Sequence, residues 1–252
     1  MSDEILDYIS EVSSSTETGA LLSVITKRLE NYGFNKFSYL GFNAKAADRD
    51  SSGRPGFYNS TFVQSTYPDA WVKHYYENDF VYCDPIITFA KTNLLPCRWN
   101  GGDFVKQVPP SQQKVLKEGR EFGIKRGVVI PVHAPGGEFG SVAFATDESE
   151  LNLDAVWKHK RHELHLMGIY YHAAIWENVF KRNIEPTPGL TPRELQCLEW
   201  AGRGKTVWEI SKILGISEAT AKTHLRAAIA KMDTTNKTHA VSKALLHGLI
   251  TV

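Results

Sequence analysis

Several groupings of polar and aromatic side chains in this sequence could do chemistry. One is Tyr67-Pro-Asp-Ala-Trp71-Val-Lys-His-Tyr75, followed by Asp84-Pro85 and Trp99. The four-residue step from Trp71 to Tyr75 puts both rings on one face of a helix. Taken singly, either ring reads as a core aromatic, and Asp84-Pro85 reads as a turn or helix start. A second grouping is Thr220, Lys222, Thr223 and Arg226, short or basic side chains in which Lys222 and Arg226 share a helix face. That spacing serves a solvated surface as well as a phosphate-contacting one. A third is His159, His162 and His165, three apart. They could meet on a helix and hold a metal, but His162-Glu-Leu-His165 lacks the i, i+4 histidine pair of zinc hydrolases, and no cysteine or carboxylate completes a site. A partly exposed or dimer-facing helix is the expectation. Cys83, Cys97 and Cys197 are widely spaced and odd in number, which suits a reducing compartment without disulfides. No Ser/His/Asp arrangement, phosphate loop or paired acid/base carboxylates stand in credible context. The chain is expected to be no enzyme and to need no metal or cofactor.

The elements that must position these groups fall into two sets. Residues 18–32 carry a helical pattern through Leu21, Leu22, Ile25 and Leu29. Lys36–Asn43 alternates as a strand, and Phe57–Val63 reads as another. Pro68–Tyr76 and Gln112–Phe122 read as helices. Gly127–His133 and Glu138–Thr146 are apolar strands joined by Ala134-Pro-Gly-Gly137, which has hairpin chemistry. A long helix follows from Leu153 to Phe180. Strands enclosed by helices at both ends predict an α/β/α sandwich on a mainly antiparallel sheet. Beyond it, Thr191-Pro-Arg-Glu194 and Thr206-Val-Trp-Glu209 are capping boxes, Gly215 closes the helix Val207–Leu214, Ser217 caps Glu218–Met232, and Asn236 caps Lys237–Leu246. Two helices separated by Leu214-Gly-Ile-Ser217 have the dimensions of a helix-turn-helix. Its small core would be Ile210, Ile213, Leu214, Ile216, Leu225 and Ile229. The fold class is therefore α+β, an N-terminal sandwich plus an all-α four-helix domain.

Between the two sets, Pro186-Thr-Pro188-Gly189 punctuates the chain, giving domains at 1–182 and 190–252 with a linker at 183–189. The 252 residues fit two unequal domains, and 42% hydrophobic with 23% charged residues is a folded composition. The net charge of +1, from 29 Lys+Arg against 28 Asp+Glu, looks like an argument against nucleic acid. It averages over the boundary. Residues 190–252 hold nine basic and five acidic side chains, a net of +4, and residues 1–189 carry −3. With the capped helix-turn-helix, this tilts the second domain toward DNA. The acidic start MSDEILDYIS lacks a signal peptide's basic and apolar regions, and no apolar run approaches the ~18 residues that span a bilayer. A cytoplasmic protein without membrane contact is expected.

The run LTPRELQCLEWAGRGKTVWEISKILGISEATAKTHLRAAIAKM resembles the DNA-binding domain of the LuxR family of transcription regulators. Glu194, Leu198 and Gly204 fall on positions that family holds nearly fixed, and Ala221 stands where most members have valine. The resemblance makes Thr220, Lys222, Thr223 and Arg226 the DNA-contacting residues, on a helix that enters the major groove. Phosphoreceiver-linked regulators share this module, so it does not by itself name the signal.

The constellation at Tyr67, Trp71, Tyr75, Asp84, Pro85 and Trp99, with Gly127 opening a later strand, resembles the ligand domain of the quorum-sensing LuxR branch, which binds N-acyl-homoserine lactones. The resemblance implies that Asp84 accepts the ligand amide N–H, Trp99 donates to the lactone carbonyl and Tyr67 donates to the amide carbonyl. An indole only donates and an ionised carboxylate only accepts, so the polarities agree. Trp71 and Tyr75 would wall the pocket, and Tyr39, Gly41, Thr61 and Val63 would line the acyl region. Relatives often place Ser or Thr where this sequence has Ala143. Ser141, two residues away on the same strand face, is the expected replacement unless Tyr67 acts alone. The polar Tyr39 and Thr61 suggest an acyl group with an oxo, hydroxyl or aromatic feature. The whole implies a ligand-responsive transcription factor, a homodimer on a two-fold operator in double-stranded DNA that works with RNA polymerase. The alternatives are a phosphorylation-controlled response regulator, a lactone-processing enzyme, or a related regulator sensing a different small molecule.

Overall fold

The computed structural model describes residues 3–42, 61–99, 104, 107–134, 138–180 and 189–252. They form two compact units, one through Phe180 and one from Gly189. The anticipated hairpin turn at 135–137, the start of the second strand at 57–60 and most of the linker lie outside the described residues.

The first unit begins with two helices, α1 (Asp3–Ser14) and α2 (Thr18–Glu30), before β1 (Lys36–Phe42) and β2 (Thr61–Ser65). Then come α3 (Asp69–Glu77), a 3-10 turn at Phe80–Tyr82, α4 (Pro85–Thr92) and β3 (Cys97–Trp99). Helix α5 (Pro110–Glu121) precedes the hairpin strands β4 (Arg126–Ala134) and β5 (Glu138–Thr146). Helix α6 (Leu153–Ile175) ends in a π turn, Trp176–Phe180. Helix α1 escaped the sequence reading, although Ile5, Tyr8 and Val12 bury one of its faces.

The five strands run in the order β2-β1-β5-β4-β3 and every neighbour is antiparallel. This is the α/β/α sandwich, not the parallel βαβ repeat that a phosphoreceiver requires. Both faces of the sheet are covered, so the central strand β5 is buried at all nine positions and reads as a run of small and apolar residues rather than an alternation. On one face Phe37, Tyr39, Val128, Ile130, Val142 and Phe144 pack with α1, α2 and α6. The Tyr8 hydroxyl ties α1 to α6 by donating to the Met167 carbonyl at 2.9 Å. On the other face Val129, Ala143 and Ala145 meet Trp71, Ile86, Ala90 and Val115 from α3, α4 and α5.

The second unit comprises α7 (Pro192–Gly202), α8 (Val207–Leu214), α9 (Glu218–Lys231) and α10 (Lys237–Leu246). Both capping boxes close: the Glu194 and Thr206 pairs each satisfy two helix-start N–H groups. Gly215 takes φ of 65°, the left-handed conformation that ends α8, and Ser217 and Asn236 cap the last two helices. Cys197, Leu198, Ile210, Ala221, Leu225 and Met232 form the core. Ile213 was expected there but is 44% exposed. Val207, Ile210 and Leu214 already define the inward stripe of α8, and Ile213 falls to one side of it.

Candidate functional site

Between the sheet and helices α3, α4 and α5 lies a cavity of about 110 Å3. Its floor is Ser38 and Leu40 of β1, Thr61, Val63 and Ser65 of β2, and Ser141 and Ala143 of β5. Trp71, Val72, Tyr75 and Tyr76 of α3 form one wall, with Tyr67, Asp84, Ile86, Ile87 and Trp99 around the polar end and Val115, Leu116 and Gly119 of α5 opposite. A mostly apolar concavity with a few convergent polar groups suits a small organic molecule.

The polar groups are held by local structure. Asp84 is the N-cap of α4, and Pro85 occupies the first helical position. One Asp84 carboxylate oxygen accepts the Ile86 N–H at 2.7 Å and the other accepts the Tyr75 hydroxyl at 2.9 Å. Burial pushes the Asp84 carboxyl up from its ordinary range, and these two bonds pull against that rise. Burial, and then the neighbouring Asp84 charge, push the Tyr67 phenol well up, so it stays a protonated donor. Its hydroxyl has no hydrogen-bond partner among the described residues, while its backbone N–H is anchored on the Ser65 hydroxyl at 3.0 Å. Trp99 is 4% exposed, and its indole N–H, fully buried, has no partner among the described residues. Trp71 sits at the centre of an aromatic group, 5.7 Å from Tyr75, 6.0 Å from Phe80 and 5.4 Å from Phe122 between ring centroids.

Of the residues singled out from sequence, Tyr67, Trp71, Tyr75, Asp84, Trp99, Thr61, Val63, Ser141 and Ala143 come together at this cavity. Pro85 and Gly127 do not line it. Pro85 sets the start of α4, and Gly127 stands behind Trp99, where a Cβ would lie 2.8 Å from the indole ring. Tyr39 and Gly41 are corrections. Side chains alternate along β1, so the strand that turns Ser38 and Leu40 to the cavity turns Tyr39 and Gly41 to the opposite face. There the Tyr39 hydroxyl pairs with His172 Nδ1 at 2.9 Å, and the Gly41 position is closed off by Tyr39 and Phe180. Ser38 and Leu40 were missed. Their signal is the alternation along β1, whereas Tyr39 and Gly41 were implied by the family resemblance. His159 and His162 are exposed, and no three His, Cys, Asp or Glu side chains among the described residues gather as metal ligands.

In the second unit, α9 buries Ala221, Leu225 and Ala228 and presents Thr220, Lys222, Thr223 and Arg226 to solvent. The Ser217 hydroxyl accepts the Thr220 N–H at 3.1 Å, and the Thr223 hydroxyl donates to the Ala219 carbonyl at 2.9 Å. Lys222 and Arg226 make no ion pair among the described residues, so both cations remain available.

Two family descriptions match the chain, "Autoinducer binding domain" over residues 17–175 and "Bacterial regulatory proteins, luxR family" over residues 188–244. The chain is 35% identical over 195 residues to the transcriptional activator protein VanR of Vibrio anguillarum, covering 76% of this chain and 78% of VanR. It is 31% identical over 249 residues to RpaR, a quorum sensing-dependent transcriptional regulator of Rhodopseudomonas palustris, covering 97% and 94%. Among solved structures, Escherichia coli SdiA superposes with a TM-score of 0.74 at 21% identity over 98% of each chain, a likeness of fold. The chain therefore belongs to the LuxR family of bacterial transcription regulators, with an autoinducer-binding domain ahead of a DNA-binding helix-turn-helix domain.

Proposed function

We propose that the autoinducer is an N-acyl-homoserine lactone and that its head group is held at the polar end of the cavity. The observation that carries this reading is the buried Trp99 indole N–H, a donor without a partner among the described residues, on a side chain that lines the same cavity as the acceptor Asp84. A lactone head group supplies the complement: its ring carbonyl takes the Trp99 proton, its amide N–H goes to Asp84, and its amide carbonyl takes the Tyr67 hydroxyl. Trp71 and Tyr75 close over it, and the acyl chain runs along Leu40, Val63 and Thr61. Leaving one such partner unpaired in a water-poor site costs roughly 1–3 kcal/mol, so the head group is selected as well as bound.

Binding stabilises the folded sensing domain by mass action and shifts how two DNA-binding heads are presented. The protein acts in the cytoplasm as a homodimer on a two-fold site in double-stranded DNA, with the exposed face of α9 in the major groove, and communicates with RNA polymerase. The linker at 183–189 joins the two activities.

The test is thermal unfolding of the purified full chain against a panel of acyl-homoserine lactones. A ligand present at a hundred times its dissociation constant adds about 2.7 kcal/mol and raises Tm. Asp84→Asn lowers that gain, since the amide cannot match the carboxylate as acceptor. No rise in Tm with any lactone overturns the choice of ligand and leaves the family assignment standing.

A further inference from the structure

The face of the sheet turned away from the cavity carries polar ties to α6 that ligand binding itself does not call for. Tyr39 of β1 and Gln64 of β2 are register partners on that face, while their strand neighbours Ser38, Leu40, Val63 and Ser65 floor the cavity. The Tyr39 hydroxyl pairs with His172 Nδ1 at 2.9 Å, and the Gln64 side-chain oxygen accepts the hydroxyl of Tyr171, the preceding residue of α6. Gln64 Nε2 donates to the Thr18 carbonyl at 2.7 Å, which fixes the orientation of the amide. Beside them Gly41 of β1 pairs with Gly140 of β5, and the two glycines leave a hollow that the end of α6 fills. A Cβ on Gly140 would lie 2.7 Å from His172 Nδ1, and one on Gly41 would lie 2.7 Å from the Phe180 ring. Two successive residues of α6, and the turn after it, are thus bolted to strands that floor the cavity.

That turn, Trp176–Phe180, is a π turn, with one extra residue wound into the helix. Its rings continue the contact. His172 stacks on Trp176 at 6.3 Å, Trp176 lies 5.6 Å from Phe180, and Phe180 meets Phe62 of β2 edge-on at 6.4 Å. The Asn178 amide ties the turn to the end of α1 by donating to the Ser15 carbonyl at 3.1 Å. Regular α winding here would carry the following residues about 100° around the axis and about 1.5 Å along it. Those residues lead to the DNA-binding unit.

We propose that Tyr39 and Gln64 are positioning residues of a relay, in which occupation of the cavity shifts β1 and β2 and so sets the winding of the turn after α6. The relay rests on this cavity being the autoinducer site, and its probe rests on the lactone reading. A ligand packed on Leu40 and Val63 bears on the residues next to Tyr39 and Gln64 in each strand. A ligand that favours one placement of those strands therefore favours one winding of the turn. Ligand and DNA are then coupled through one element, and each changes the affinity of the other by the same factor.

The experiment compares the unaltered full chain with Tyr39→Phe, Tyr171→Phe and a control, Tyr8→Phe. The control also removes a buried hydroxyl bond to α6, but one made by α1 and not by the cavity floor. Affinity for a duplex selected from a random pool is measured with and without the lactone that stabilises the unaltered protein most. Lactone affinity and hydrogen exchange of the amides of residues 173–180 are measured alongside. In the unaltered protein, lactone is expected to change DNA affinity by at least about fivefold and to change exchange at 173–180. Tyr39→Phe and Tyr171→Phe still bind lactone, but the change in DNA affinity falls below about twofold. Tyr8→Phe keeps the full factor, whatever it costs in Tm. A full factor in either Tyr39→Phe or Tyr171→Phe, an equal loss in Tyr8→Phe, or unchanged exchange at 173–180 on binding lactone overturns the relay. So does a DNA affinity of the unaltered protein that ignores lactone. If no lactone binds, the lactone reading fails by itself and the ligand-free chain decides the relay. Tyr39→Phe must then speed exchange at 173–180 where Tyr8→Phe does not, and equal exchange in the two overturns it.

Discussion

Asp84 does two jobs with its two oxygens. As an N-cap it spends one on the Ile86 N–H, and through the other it holds the Tyr75 hydroxyl at the edge of the cavity. A carboxylate oxygen has more than one lone pair, so these bonds leave room for a ligand N–H. Asparagine can cap a helix but cannot offer two acceptor oxygens, which is why Asp84→Asn separates the ligand contact from the fold better than alanine does. Trp99 is positioned by a residue with no side chain. A Cβ on Gly127 would meet the Phe144 carbonyl oxygen at 2.1 Å and the Trp99 ring at 2.8 Å, the first a backbone atom of the neighbouring strand. Gly127→Ala is therefore expected to destabilise the sensing domain by about 1–3 kcal/mol, as overpacking does, and to move the indole. Urea unfolding measures the first effect, and Trp99 near-ultraviolet circular dichroism the second. An unchanged midpoint and spectrum would show that the strand pair yields without disturbing Trp99.

At the scale of elements, capped helices and apolar strands were legible because their signals are local. Both capping boxes, the Gly215 stop and the β4–β5 run formed as the sequence implied. Facing was harder. In a strand covered on both sides, polarity does not mark inside from outside, and β1 carries Phe37, Tyr39 and Leu40 on two different faces. The polar Tyr39 looked like a ligand contact, yet its partner is His172, supplied from α6 more than a hundred residues away. No local pattern records such a pairing. Helix α1 was missed for a related reason: its burial depends on α6. The Tyr39–His172 tie between sheet and helix has a pH signature. Burial, with a smaller contribution from His133, holds the His172 imidazole down to about 4, and Trp176 stacks on it from the following turn. An unfolded histidine titrates near 6.5, so between about 6.5 and about 4 the unfolded state binds a proton that the native state refuses. Stability contributed by the neutral ring is full above about 6.5 and falls as the pH drops through that window, by up to about 3 kcal/mol. His172→Gln is expected to flatten the pH dependence of the urea midpoint there. A curve of unchanged slope would assign the acid loss to other groups.

Across the whole molecule, the near-neutral balance of 29 basic against 28 acidic side chains is a sum of two opposed domains, and only the second meets polyanions. A head of net +4 gains affinity for DNA by releasing counterions, and the acidic sensing domain adds little or works against it. The recognition helix keeps its charges free for this purpose. Its core residues Ala221, Leu225 and Ala228 are small enough to seat α9 closely on its neighbours, while Lys222 and Arg226 point outward without ion-pair partners among the described residues. Two acids of this domain, Glu194 and Glu209, are occupied in the capping boxes of α7 and α8. Glu194 is nine-tenths buried; burial would raise its carboxyl, but Lys231 and the Thr191 N–H hold it below the ordinary range. Glu209 is drawn down to about 2 by the Thr206 N–H and hydroxyl, with help from Lys205. Both acids are thus tied to a cap and a lysine, Glu194 to Lys231 at the C-terminal end of α9 and Glu209 to Lys205, and neither pairs with Lys222 or Arg226. Binding of the ligand-saturated full chain to a duplex selected from a random pool, measured over a range of salt, tests the consequence. Lys222→Ala is expected to weaken binding to all sequences alike and to reduce the steepness of the log–log salt dependence by about one ion. Arg226→Ala lowers the slope in the same way if it meets a phosphate. If it reads a base edge, it instead relaxes the preference at one position, by about 1–3 kcal/mol. An unchanged slope and unchanged selectivity in both variants would remove this face of α9 from the DNA.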